Sequence, residues 1–235
     1  MQASPALERA AELVALAVNA RLQSGGAAML PLEAADRQAW RPNCAVANCY
    51  ASGAVGMAAH SDRMTALGPC PIIASLSLGA TRCFRLHRTQ RVDLWEGAGG
   101  TGSGSPHDTA VAAGADVVRV DLQLAHNQLL VMWPPTQETW KHEVTKTSKP
   151  FTLHKRSGAT RFNLTFRRMK PGWEHRVPTC RCGRPAVMKA HVPKQPIQQQ
   201  QPTRQLRYYY ACESDGRTKA SCGFFVDVPH VATLA

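Results

Sequence analysis

The sequence contains no run of about 18 consecutive apolar residues, although 44% of its 235 residues are hydrophobic. We therefore predict no membrane-spanning helix. Acidic residues are also scarce: the sequence contains 16 Asp and Glu but 28 Lys and Arg, and the formal net charge is +12. This excess favours a polyanionic partner, nucleic acid before a membrane surface, although a basic protein without such a partner remains an alternative. A charged fraction of 19% argues against global disorder.

The first residues, MQASPALERAAEL, lack the apolar core of a secretion signal, so we expect a reducing compartment, nuclear or cytoplasmic. The eight cysteines are then expected to be free or metal-bound rather than paired. Those in the first part of the chain are expected to be small buried hydrophobic residues. They are Cys44, Cys49, Cys70 and Cys83. The sequence does not establish an oligomeric state, and we favour a monomer.

Hydrophobic patterning predicts one N-terminal helix followed by many short strands. Ser4 and Pro5 are typical of a helix start, and Gly25-Gly26 predicts its end. Strands are predicted at 71–79, 117–124, 128–133 and 161–167, with no helices between them. This arrangement indicates a mainly β fold, an antiparallel sandwich or jelly roll.

Composition divides the chain at a basic, irregular stretch around residues 170–177. We expect one domain over 1–170 and a small module over 178–230. Residues 168–235, which include the module, hold 11 Lys and Arg against 4 Asp and Glu, so they carry +7 of the net charge of +12. Two segments of low complexity, GAGGTGSGS (97–105) and KQPIQQQQPTRQ (194–205), are predicted to be loops.

His60 and Asp62 form an H-x-D pair, and residues two apart on a strand point to the same side. A second histidine from another strand would complete a set of two histidines and one carboxylate, which suits Fe(II) with open coordination positions. The candidate is His142, although an H-x-D alone is most often incidental.

The strand RFNLTFR places Phe162, Leu164 and Phe166 on one face, which can pack on a core. The other face is polar and carries two arginines. It could face solvent, or it could line a cavity in which guanidinium groups bind a dicarboxylate such as 2-oxoglutarate. Arg82, at the end of another strand, fits either the cavity or the surface. The polar face consists of Arg161, Asn163, Thr165 and Arg167.

These motifs, taken in order, resemble the AlkB-type Fe(II)/2-oxoglutarate dioxygenases. The resemblance covers about residues 43–168 and includes Asn48-x-Tyr50, His60-x-Asp62, SLSLGATRCFRL (75–86), LLVMWPPTQETWKH (129–142) and RFNLTFR (161–167). It implies a double-stranded β-helix and iron bound by His60, Asp62 and His142. The residues that it implies for 2-oxoglutarate are Asn48, Tyr50, Arg161, Asn163 and Arg167. Two features differ from the family: Met64 stands where some members have an acid that touches the base, and the N-terminal region is short for a nucleotide-recognition lid.

The tail is similar to a GRF-type zinc finger, as in a fungal group that couples such a finger to this domain. CRCGRP (180–185), YYYAC (208–212) and CGFF (222–225) carry the resemblance. It implies one structural Zn(II) bound by Cys180, Cys182, Cys212 and Cys222, with His175 or His191 as substitutes for a thiolate. Free cysteines are the alternative. Basic and aromatic residues are expected to bind single-stranded nucleic acid, namely Arg184, Lys189, Arg204, Arg207 and Tyr209.

The resemblance implies oxidative demethylation of alkylated DNA or RNA, in which a hydroxylated N-methyl group is lost as formaldehyde. The alternative is a zinc-finger nucleic-acid-binding protein whose oxygenase core is a scaffold or hydroxylates a protein. The presence of both the iron set and the arginine set favours the enzyme.

Overall fold

The computed structural model describes residues 4–26, 32, 34–89, 118–191, 206–213 and 221–228. The predicted loops 97–105 and 194–205, and with them Arg204, lie outside the described residues. No helix within the described ranges is long and apolar enough to cross a membrane.

The N-terminal helix α1 (Pro5–Arg21) begins at Ser4, whose hydroxyl accepts a hydrogen bond from the Leu7 amide at 3.3 Å. A π-helical turn, Leu22–Gly26, continues it. Val14 and Val18 pack against the fully buried Trp40 and against Phe166, so α1 covers one face of the β structure. The other helices are short: α2 (Ala34–Gln38), α3 (Met64–Leu67), α4 (Thr136–Thr139) and a 3-10 turn at Trp173–His175.

Within the described residues, eleven strands form three antiparallel sheets. The first sheet has the order β1-β8-β3-β6, the second β2-β7-β4-β5, and the third, C-terminal sheet β11-β10-β9. The strands are β1 (Cys44–Tyr50), β2 (Met57–His60), β3 (Ile73–Gly79), β4 (Arg82–Arg88), β5 (Arg119–Leu124), β6 (Gln128–Met132), β7 (Trp140–Val144), β8 (Arg161–Arg167), β9 (Val187–His191), β10 (Arg207–Ala211) and β11 (Phe225–Asp227).

The first two sheets enclose a second apolar cluster, which includes Ile73, Phe84, Met132 and Val144. Strand β8 has neighbours on both sides, so that Arg161 lies opposite Tyr50 of β1 and Gly79 of β3. A side chain at residue 79 would lie 2.3 Å from the Thr160 carbonyl, and its φ of +92° also favours glycine. Gly79 therefore permits the close approach that places Arg161 between the sheets.

The expectations for Arg82 and for the four cysteines outside the tail were wrong. Arg82 is neither on the surface nor free in the cavity: it is buried and donates to the carbonyl oxygens of Ser52, Val55 and Thr145 at 2.7–2.8 Å. Cys49 is exposed rather than buried, because it lies on the edge strand β1 beside Phe162, which is itself 43% exposed. Cys44, Cys70 and Cys83 are partly exposed.

Candidate active site

The structure brings His60, Asp62 and His142 together at one end of the cavity between the first two sheets. His60 on β2 lies directly opposite His142 on β7, and Asp62 follows two residues after His60. Asp62 Oδ1 lies 3.8 Å from His60 Nε2 and 3.9 Å from His142 Nε2. Three donor atoms this close can bind one divalent metal on a single face and leave its other positions open.

The environments of the two histidines suit metal binding. His60 Nδ1 lies 2.8 Å from the Ala58 carbonyl oxygen, which can only accept, so Nδ1 donates in this contact and Nε2 is the ring nitrogen directed toward Asp62. His142 is buried, and desolvation lowers its pKa to about 4, with opposition from the Asp62 charge. Its imidazole is therefore neutral at pH 7 and available as a ligand.

Asp62 is held from two sides. Arg167 Nε donates to its Oδ2 at 2.6 Å, and its backbone amide donates to Gln137 Oε1 at 2.8 Å. These bonds leave Oδ1 facing both histidines. Gln137 is a site residue that the sequence did not indicate, because its position in a short helix carries no periodic signal.

Arg161 is the most deeply buried charge of the cavity, with 1% of its surface exposed. One terminal nitrogen donates to Ser77 Oγ at 2.8 Å, and its guanidinium lies 5.3 Å from the centre of the Tyr50 ring. Its Nε and Nη1 have no hydrogen-bond partner within the described residues. Burial lowers the pKa of Arg161 and raises that of Tyr50. Two unused donors in a closed cavity fit a carboxylate ligand.

Polar side chains from β3 and β8 hold this arginine in place. Asn163 Oδ1 accepts from Ser75 Oγ at 2.7 Å and from Arg161 at 3.2 Å, and its Nδ2 donates to Thr165 at 2.6 Å. Both the oxygen and the nitrogen of the Asn163 amide thus have hydrogen-bond partners within the protein, and Asn163 orients Arg161. Ser75 and Ser77 were not predicted, although their alternation with leucines in SLSLG was the available signal.

The remaining predicted co-substrate residues lie in two parts of the cavity, near Arg161 and at the metal end. Asn48, opposite Asn163, lines the same cavity as Tyr50 and Arg161. Arg167 also lines it, but its Nε is bonded to Asp62 at the metal end. Arg161 and Arg167 are six positions apart on β8, so their Cα atoms lie about 20 Å apart on an extended strand.

The four predicted cysteines of the tail also converge. Cys212 Sγ lies 3.8 Å from the sulfurs of Cys180 and Cys182, and Cys222 belongs to the same group. A tetrahedral zinc site with bonds of about 2.3 Å has ligand separations of about 3.8 Å. The two distances from Cys212 match this value, whereas the sulfurs of Cys180 and Cys182 lie closer together, at 2.8 Å. Neither His175 nor His191 belongs to this group in the part of the chain that the structure describes.

Hydrogen bonds give the thiols of Cys180 and Cys182 different pKa values. Contacts with Cys180 and then Arg184 lower the pKa of Cys182 to about 6, whereas the pKa of Cys180 is raised to about 11 by its bond to Cys182 and by burial. Arg184 Nε lies 3.1 Å from Cys182 Sγ. The structure therefore places Arg184 against the sulfurs of Cys182 and Cys212, and its contact with nucleic acid stays a prediction.

Three of the other predicted nucleic-acid residues, Lys189, Arg207 and Tyr209, share the outer face of the C-terminal sheet. Tyr209 lies opposite Lys189, and Arg207 begins the same strand. The Tyr209 ring stacks on Phe225 at 4.8 Å, and Phe225 is 54% exposed. Phe225 was not predicted as a contact, although it stands in the CGFF motif.

Residues 2–167 match the family model described as the 2OG-Fe(II) oxygenase superfamily. The chain is 36% identical to alpha-ketoglutarate-dependent dioxygenase alkB homolog 3 of Bos taurus over 55% of this chain and 37% of that protein. It is 35% identical to DNA oxidative demethylase ALKBH2 of Arabidopsis thaliana over 54% of this chain and 38% of that protein. The chain thus spans less than half the length of these relatives. The solved structure of OsALKBH1 covers 68% of this chain and 63% of its own, with 18% identity and a TM-score of 0.43.

The unused donors of Arg161 generate a prediction about 2-oxoglutarate. Arg161→Lys should weaken binding of 2-oxoglutarate about tenfold or more, because an ammonium group cannot replace a planar guanidinium fork. Calorimetric titration in the presence of Mn(II) measures this affinity without turnover. Arg156→Lys, on an exposed loop, is the matched control and should leave the affinity unchanged. A folded Arg161→Lys protein with unchanged affinity would contradict the role.

Proposed function

Because the chain belongs to the 2OG-Fe(II) oxygenase superfamily, and its curated relatives are dioxygenases, we propose that it is an Fe(II)- and 2-oxoglutarate-dependent nucleic-acid demethylase. One observation carries the proposal: the His60, Asp62 and His142 cluster opens into the cavity in which the buried Arg161 has unused donors. A metal set and a carboxylate site in one cavity are what this chemistry requires.

His60 Nε2, Asp62 Oδ1 and His142 Nε2 would hold the iron. When bound, the iron supplies the oxidation of a substrate C–H bond by O₂, coupled to conversion of 2-oxoglutarate to succinate and CO₂. Ala58, through its carbonyl, fixes the His60 tautomer, and Arg167 fixes the orientation of the Asp62 carboxylate. The protein thus presents a preformed ligand set.

Arg161 would bind the carboxylate of 2-oxoglutarate that lies farther from the metal. Ser77 and Asn163 hold the guanidinium, and the Tyr50 ring lies against it. Arg167 contributes at the metal end by holding Asp62. We propose that the two four-stranded sheets around this cavity form the double-stranded β-helix, with residues 1–170 as the oxygenase domain.

The C-terminal sheet would contribute nucleic-acid binding. The Tyr209–Phe225 stack offers an aromatic surface for a base, and Lys189 and Arg207 supply positive charge for the backbone. The net charge of +12 and a relative named DNA oxidative demethylase support a nucleic-acid partner. We favour a single-stranded one, because exposed bases can stack on such a surface. Zn(II) on the four cysteines of the 178–230 module would stabilise the sheet.

Formaldehyde release tests the activity. We expect purified protein with Fe(II) and 2-oxoglutarate to release formaldehyde and succinate in equal amounts from N-methylated single-stranded DNA or RNA. Asp62→Ala should reduce both products to background, whereas Asp121→Ala, on the exposed side of β5, should not. Succinate formed with a peptide substrate but with no methylated nucleic acid would contradict demethylation and support protein hydroxylation.

Replacement of one thiol tests the zinc site. Wild-type protein should contain about one zinc per chain, and Cys222→Ser should contain well below this, because structural sites need all four ligands. Elemental analysis measures the content, and Cys49→Ser is the exposed control. Wild-type protein without zinc, and with a protease-resistant tail, would instead indicate free thiols.

The aromatic stack generates a separate prediction for binding. Phe225→Ala should weaken binding of single-stranded DNA about fivefold or more, since stacking on one base contributes about 1–3 kcal/mol. Val226→Ala, at the neighbouring exposed residue, is the control. Fluorescence anisotropy at one fixed salt concentration measures both. Equal loss in the two variants would contradict a specific role for the stack.

A further inference from the structure

Two short helices lie between the candidate iron site and the C-terminal sheet. Helix α3 begins two residues after Asp62, and helix α4 ends immediately before β7, which carries His142. Both helices contact residues of β9 or β10. The C-terminal sheet therefore rests on two helices, one of which adjoins the loop of Asp62 and the other the strand of His142.

Asp62 lies in the loop between β2 and α3, which we call the metal loop. Helix α4 contacts the metal loop through Gln137. The Gln137 side chain is buried, and its Oε1 accepts from the backbone amide of Asp62 at 2.8 Å. On the same loop, Ser61 Oγ donates to the Trp140 carbonyl at 2.7 Å. The backbone that carries Asp62 thus depends on the position of α4 and of the first residue of β7.

The next residue of α4, Glu138, faces the C-terminal sheet. Its Oε1 accepts from the Tyr208 hydroxyl at 3.0 Å and from the Cys70 amide at 2.8 Å. Glu138 and Tyr208 are each 5% exposed. Because a buried carboxyl group is costly to leave without hydrogen bonds, these contacts restrict where α4 can lie.

Helix α3 is held against the same sheet by packing and one hydrogen bond. Met64 packs against Met188 and Tyr208, and all three are buried. The Met188 amide donates to Thr65 Oγ1 at 3.0 Å. The metal loop is thus enclosed by two helices that both contact the C-terminal sheet.

Tyr208 lies on β10, and Cys212 follows the last residue of that strand. Cys180 and Cys182 precede β9, which pairs with β10. The four-cysteine cluster therefore closes the sheet that presents the Tyr208 hydroxyl to Glu138. A chain of contacts connects the two candidate metal sites: the cysteines, Tyr208, Glu138, Gln137 and Asp62.

We infer that Tyr208 is a positioning residue for the iron ligands, which acts through Glu138 and Gln137 on the backbone of Asp62. The inference rests on the proposed iron site. Metal-site geometry must be held within about 0.5 Å, so a small displacement of α4 weakens iron binding. The C-terminal sheet then has a second role besides contact with nucleic acid: it supports the iron centre even without substrate.

Anaerobic titration of Fe(II) in the presence of 2-oxoglutarate tests this role. Tyr208→Phe removes only the hydroxyl, and it should raise the Kd for Fe(II) about three- to tenfold, less than the 10–100-fold typical of residues that contact a ligand directly. Tyr210→Phe, on the same strand and partly buried in the same cluster, should leave the Kd unchanged. Zinc content and thermal midpoint are measured in parallel.

A second pair of variants separates positioning from folding. Glu138→Gln retains an oxygen acceptor and should bind Fe(II) nearly as wild type does, whereas Glu138→Ala should weaken binding at least as much as Tyr208→Phe. If Tyr208→Phe does not fold, this pair decides the outcome. A lowered thermal midpoint with an unchanged Kd in Tyr208→Phe and Glu138→Ala would overturn the inference. Failure of wild-type protein to bind Fe(II) would instead overturn the proposed function.

Discussion

Burial of the Arg161 guanidinium is the constraint that organises the oxygenase part of this protein. A charge taken out of water costs several kcal/mol unless it is compensated, and Arg161 forms no salt bridge within the described residues. Ser77 and Asn163 compensate part of this cost, and Asn163 is itself held by Ser75 and Thr165. The remaining deficit is what a bound carboxylate would remove, so co-substrate binding and stability are coupled in this cavity.

The two-residue period of strands explains how much of this arrangement could be predicted from the sequence. RFNLTFR alternates so strictly that the bounds of β8, its polar face and its apolar face all follow from the pattern. His60 ends β2 and Asp62 lies in the loop that follows it, so the path of this loop, and not the period of a strand, brings the two side chains together. The strand period alone does not identify the strand that lies opposite His60. Another motif, here the one that contains His142, is needed to supply that strand. Mainly β structure with antiparallel sheets and an N-terminal helix was confirmed in this way.

What the sequence could not predict depends on contacts between distant elements. Arg82 at a strand end looks the same in sequence whether it faces solvent or donates to buried carbonyl oxygens of Ser52, Val55 and Thr145. Arg184 is a basic residue of the kind that binds nucleic acid, and the sequence does not show that its side chain lies against Cys182 Sγ. Gln137 and Glu138 belong to a single helical turn, too short for any periodicity, so neither of their buried partners could be inferred.

The three consecutive tyrosines of β10 show how one strand can serve two surfaces. Alternation directs Tyr208 and Tyr210 toward the oxygenase part, where they join a buried cluster with Met64 and Met188, and directs Tyr209 outward onto Phe225. A helix could not divide adjacent aromatic residues between opposite faces in this way. Because the inner pair and the outer ring lie on the same short strand, closed by the same cysteines, loss of the sheet would remove both surfaces together. Single substitutions, in contrast, can remove one surface and leave the other in place. The alternation of side chains along β10 thus separates the proposed support of the iron centre, through Tyr208, from the proposed contact with nucleic acid, through Tyr209.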